Sequence, residues 1–141
     1  MASIAGYILM GAAVVGLLIG HALFSCSPLV IAVQVIALGL MLWARLTFGR
    51  RSFHIAATPT QGALVTTGPY RYIRHPIYTA VCLFCLPGAW SNGSTLSVVA
   101  ILILLTGAVM RILAEEHLLF GKYPEYREYA VTTKRMVPYV F

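Results

Sequence analysis

Charge is what this sequence has least of. Of its 141 residues 10% are Asp, Glu, Lys or Arg and 60% are hydrophobic, where a soluble domain carries about a quarter charged. So few charges cannot cover a water-facing globule, and the solvent for most of the surface is lipid. Acid is scarcer still. All four carboxylates, Glu115, Glu116, Glu125 and Glu128, follow the last long apolar run. That excludes the chemistry of small four-helix multidrug exporters, which need a membrane-embedded carboxylate to couple protons to cation export.

Cysteine is also sparse, and three is an odd number, which argues against a closed disulfide framework. Cys82 and Cys85 form a C-x-x-C inside the apolar run Val81–Leu86 with no second pair beside it. They are expected to be small buried hydrophobes, and no metal site is expected. No Lys or Arg precedes the N-terminal apolar stretch, so despite the Leu23-Phe24-Ser25-Cys26 run it is expected to be a retained helix, not a cleaved signal. Repeats and low-complexity linkers are missing too. The chain therefore reads as a single membrane domain, 1–141, with a helical hairpin at 1–48 and a core at 49–141.

What is present is a set of four apolar segments, Ile4–Phe24, Leu29–Phe48, Ile77–Trp90 and Thr95–Leu113. The first, second and fourth have the ~20 residues needed to cross ~30 Å of hydrocarbon. The third would reach only about 21 Å at ~1.5 Å per residue, which draws Tyr70–Pro76 toward membrane depth. The expectation is an all-α integral membrane fold of about four transmembrane helices plus short C-terminal cytoplasmic helices. Pro28 and Asn92-Gly93 mark tight turns. The fourth helical pattern continues through Phe120 to Gly121, expected just past its end, and Pro124 can open a short helix with Tyr126, Tyr129 and Ala130 on one side before Pro138. His21 and Gln34 are expected to be interhelical hydrogen-bonders.

The net charge of +6 is carried mostly by Arg in short clusters beside apolar runs, a pattern of juxtamembrane anchoring, and no nucleic acid is expected as a partner. Ser25–Pro28 and Ser91–Ser94 carry no charge, while the 45–76 connection holds Arg45, Arg50, Arg51, Arg71 and Arg74. The positive-inside rule then puts that connection, both termini and the chemistry on the cytoplasmic side. The Gly-rich first span, with Gly6, Gly11, Gly16 and Gly20, leaves the oligomeric state open.

Two stretches carry chemistry. In Gly68-Pro69-Tyr70-Arg71-Tyr72-Ile73-Arg74-His75-Pro76-Ile77-Tyr78 the prolines force irregular backbone, which at membrane depth is tolerated only in protein or beside a polar cavity. Arg111, Glu115 and Glu116 lie at the end of the fourth segment. Arg before Glu is the weaker order for an i,i+4 pair worth ~0.2–0.5 kcal/mol, whereas a charge deeper in the bilayer costs ~2.5–3.5 kcal/mol. A polar pocket would account for them better than helix stabilisation does.

Gly68-Pro69-Tyr70, Arg74-His75-Pro76-x-Tyr78, Glu115-Glu116 and Phe120-Gly121-x-Tyr123-x-x-Tyr126 with a final Pro138 together resemble the isoprenylcysteine carboxyl methyltransferase family and its phospholipid methyltransferase relatives, over about residues 48 to 141. The resemblance implies an S-adenosylmethionine site formed by Ala63, Leu64, Val65, Tyr70, His75, Pro76, Ile77, Tyr78, Glu115 and Glu116. It implies Arg111 as the substrate-side arginine, so that Arg111 and Glu115 are the expected catalytic pair. The acceptor would be a lipophilic, membrane-dissolved molecule bearing a carboxylate, amine or thiol. Ala80 replaces a common glycine of the motif, and the family's longer N-terminal membrane region is not seen, which separates the prenylcysteine substrate from the cofactor expectation. Membrane sterol reductases share an R-H-P-x-Y-like turn and would use a nicotinamide cofactor; a non-enzymatic scaffold is the third reading.

Overall fold

A computed structural model describes residues 2–49 and 64–138. Five α-helices are found there: α1 Ala2–Ile19, α2 Pro28–Phe48, α3 Pro76–Asn92, α4 Thr95–Lys122 and α5 Tyr126–Thr132, with a 3-10 turn at Gly68–Arg71 before α3. The described residues contain no strand, only a single parallel bridge between Ile73 and Lys134. Two helices, α2 and α4, are long and apolar enough to cross a membrane. α1 and α3, of 18 and 17 residues, are shorter.

Helix limits follow local chemistry. α2 and α3 each open on a proline, whose missing N–H costs nothing in a first turn. Ser94 caps α4 by accepting from the Ser97 N–H at 3.2 Å, and Gly93 ends α3 in the left-handed region, φ 65°. Two expectations change. α1 stops at Ile19 because the chain turns there, Ala22 N–H donating to Leu17 O at 2.8 Å, so His21 is exposed on the turn and not between helices. α4 runs through Gly121, which is not in the left-handed conformation, and its cap is Tyr123; α5 accordingly begins at Tyr126, after Pro124.

α1 packs mainly on α4, α2 on α3, and α3 on α4. The interior is built from small residues, including Ala13, Ala37, Ala80, Ala100 and Ala108, which let backbones approach where lipid offers no hydrophobic drive. At the α1–α4 crossing a Cβ on Gly6 would lie 2.8 Å from Gly107 O, and one on Gly88 in α3 would lie 2.1 Å from Leu23 O. Gln34 is buried as expected, donating to Leu23 O at 2.8 Å and Phe84 O at 3.0 Å. It thus ties the α1–α2 turn to α3 close to Pro87, where the helix lacks a donor. Cys82 and Cys85 are buried free thiols in the apolar core. The outer face is apolar, with Ile8, Val35, Ile36, Leu42 and Leu102 exposed, an inside-out pattern suited to lipid. Ser25 Oγ and Ser91 Oγ, 3.1 Å apart, join the two uncharged turns at one end; the charged motifs gather at the other.

Candidate functional site

Pro76 starts α3 and leaves His75 as its cap residue in a non-helical conformation, φ −124° and ψ 57°. His75 is thereby turned, 5% exposed, toward the end of α4. Tyr78, less than one turn along α3, faces the same way. Around them Arg74, Arg111, Glu115, Glu116 and Arg135 form one polar cluster, buried at Arg111 and Glu116 and half-open at Glu115 and Arg135.

The cluster has two halves. In the first, Arg111 Nε donates to the Tyr78 hydroxyl at 2.8 Å and Nη2 to Glu115 Oε1 at 2.6 Å, while Tyr78 donates to the same carboxylate oxygen. In the second, Glu116 accepts from Arg74 Nε at 2.9 Å on Oε1 and from Arg135 Nε at 3.0 Å on Oε2. Arg74 also donates through Nη1 to Ala130 O at 2.9 Å and to Thr133 O. His75 joins the halves, Nδ1 lying 3.6 Å from Glu115 Oε2 and Nε2 3.5 Å from Glu116 Oε1. Neither contact is a well-formed hydrogen bond, and Nε2 has none. Burial alone would lower the His75 pKa, but the two carboxylates outweigh it and hold the pKa above the ordinary 6.5.

The segment after α5 is tied backbone to backbone onto the motif. Arg74 N–H donates to Lys134 O at 2.8 Å and His75 N–H to Arg135 O at 2.9 Å, and Thr79 Oγ1 donates to Met136 O at 2.9 Å. Tyr129 donates its hydroxyl to Tyr70 O at 2.5 Å, and burial raises its pKa well above the usual phenol range, which keeps the proton on it. Beside this contact an open groove of about 400 Å³ is lined by Leu64, Thr66, Glu125, Glu128, Tyr129 and Thr132, within the ~300–1,000 Å³ of small-molecule sites.

Of the residues singled out in the sequence, the structure gathers His75, Tyr78, Arg111, Glu115 and Glu116 into the cluster. Pro76 is buried beneath it and Tyr70 is buried in the 3-10 turn. Leu64 lies on the groove, and Leu64, Val65 and Ile77 are partly buried. Ala63, Arg50 and Arg51 lie outside the described residues. Three contributors carry no sequence signal of their own: Arg135 on the tail, and Ser3 and Tyr7 on α1, which meet Arg111. Among the described residues no group of three or more His, Cys, Asp or Glu is placed to hold a metal ion.

Residues 16–126 match the model of the phospholipid methyltransferase family. The chain belongs to that family. Membership, with the two apolar spans, makes it a membrane protein and places the R-H-P-x-Y turn and the acidic pair within the family region. Among curated relatives, this phospholipid methyltransferase family member is similar to the nickel-cobalt-cadmium resistance protein NccN of Alcaligenes xylosoxydans xylosoxydans, at 40% identity over 53% of this chain and 36% of that protein. It is also similar to the cobalt-zinc-cadmium resistance protein CzcN of Cupriavidus metallidurans, at 32% identity over 86% of this chain and 56% of that protein. The chain thus spans about half or less of the relatives it matches. No solved structure matches it.

Proposed function

We propose that this protein is an S-adenosylmethionine-dependent methyltransferase acting on a lipophilic acceptor dissolved in the membrane, on a four-span fold with both termini and the site on the cytoplasmic side. The observation that carries the reading is the convergence of the family match with the His75–Tyr78–Glu115–Arg111 cluster. The donor set suits that cofactor. Glu115 keeps its side chain 23% exposed, an acceptor for a hydroxyl or an ammonium group, and the partly buried Leu64 and Val65 offer apolar surface for a flat base. The bound cofactor would supply a methyl group already activated by its sulfonium centre, so the protein's part is to position and to exclude water.

In this reading Glu115 and His75 hold the cofactor, with Tyr78 and Arg111 fixing the carboxylate. Glu116, with both oxygens taken by arginines, is a positioning residue that locks the tail onto the R-H-P turn. Arg111 stands nearest the acceptor's polar group. A lipophilic tail left in the bilayer would avoid a second desolvation. If the protein shares a part in metal resistance with its relatives, methylation of a membrane component is the route its site chemistry offers.

A binding titration in detergent micelles tests this directly. S-Adenosylhomocysteine should bind and reduced nicotinamide dinucleotide phosphate should not, and Glu115→Gln should weaken the former by about ten- to a hundredfold, the cost of a charge-assisted hydrogen bond. Binding of the nicotinamide cofactor instead would move the protein to the reductase reading.

A further inference from the structure

Part of what seats Arg111 comes from α1, and Ser3 and Tyr7 there precede the family match at 16–126. Arg111 is 3% exposed. A guanidinium buried in this way is costly unless its N–H groups are answered. Tyr78 and Glu115 answer Nε and Nη2. Nη1 turns the other way, donating to the Ser3 hydroxyl, with Ser3 O also at 3.4 Å. One turn along α1, the Tyr7 ring lies 5.1 Å from the guanidinium carbon, and the Tyr78 ring lies 5.9 Å away. Gly6 makes the approach possible: a Cβ there would sit 3.0 Å from Arg111 Cγ.

We propose that Ser3 and Tyr7 are positioning residues of the site, setting Arg111 and through it the Glu115 carboxylate and the Tyr78 hydroxyl in the orientation that receives the cofactor. The inference rests on the S-adenosylmethionine reading above. Ser3 anchors Nη1, so the remaining two nitrogens stay aimed at Tyr78 and Glu115. Tyr7, 46% exposed itself, covers the guanidinium with a π face, which attracts a cation without offering a carboxylate that would compete with Glu115. Loss of either lets the guanidinium turn and takes the Glu115 oxygen with it.

The test is a titration of S-adenosylhomocysteine into the full chain in lipid nanodiscs. Ser3→Ala and Tyr7→Leu should bind about three- to tenfold more weakly, while Ser3→Thr and Tyr7→Phe, which keep the hydroxyl and the ring, should stay within about twofold of the parent. Combining Tyr7→Leu with Arg111→Lys should cost less than the sum of the two, because both act through one side chain. Parent-like affinity in Ser3→Ala and Tyr7→Leu, equal losses in Tyr7→Phe and Tyr7→Leu, or strict additivity with Arg111→Lys would overturn the proposal. A parent that binds no S-adenosylhomocysteine removes the cofactor reading itself and this inference with it, an outcome distinct from failure in the variants alone.

Discussion

A buried imidazole whose two nitrogens both face carboxylates is stabilised as the cation. His75 is in that position between Glu115 and Glu116, with Arg74, Arg111 and Arg135 satisfying the same carboxylates from outside and the Tyr78 ring 5.9 Å away. Because its pKa in the folded protein is raised above 6.5, the stability it contributes is fully present below the unfolded pKa. That stability is lost as pH rises through the folded value. The thermal midpoint in micelles should therefore fall as pH is taken upward from about 6.5, and His75→Gln should flatten that slope; an unchanged slope in the variant would show that another group carries it. At this scale the sequence joined His75 and Tyr78 to Glu115 only through the family resemblance, since Tyr78 and Glu115 stand 37 positions apart. It was silent on Ser3, since nothing in a serine near one end of the chain points to an arginine 108 positions away.

The helices themselves were the most legible part, since uninterrupted apolar runs and proline starts are written locally. Their ends were less so. Gly121 looked like a stop and is not one, because a terminal glycine needs a positive φ to act and α4 instead continues to the Tyr123 cap. His21 looked like a residue within a span, yet the turn at Ala22 takes it out to the surface. How closely helices approach cannot be read from composition either: Gly11 has open space around it, while Gly88 abuts the Leu23 carbonyl. Gly88→Ala should thus cost about 1–3 kcal/mol through the forced separation of α3 from the α1–α2 turn. Gly11→Ala should be neutral or stabilising by up to ~1 kcal/mol. Chemical denaturation of the two variants in micelles measures the contrast, and equal losses would contradict the packing described.

In the molecule as a whole, uncharged turns and arginines gather at opposite ends. The uncharged turns meet through Ser25 and Ser91, and the arginines Arg74, Arg111 and Arg135 meet at the opposite end. Of the three cysteines only Cys26 is exposed, in the first turn. An impermeant thiol reagent added to intact cells should label Cys26 and leave Cys82 and Cys85 unmodified until the protein is denatured. Labelling of a folded protein only after the cells are opened would reverse the proposed topology.

The backbone tie between residues 73–75 and 134–136 also has a meaning for biosynthesis. The R-H-P turn leaves the ribosome well before the partners that lock it, the carbonyls of Lys134 and Arg135 and the Arg135 guanidinium. A nascent chain can insert its apolar helices one after another, but the turn that begins α3 waits, unlatched, for the tail. Helix insertion and completion of the site are therefore separate events in time, and a ribosome stalled short of Lys134 would leave a protein already in the membrane without a finished site.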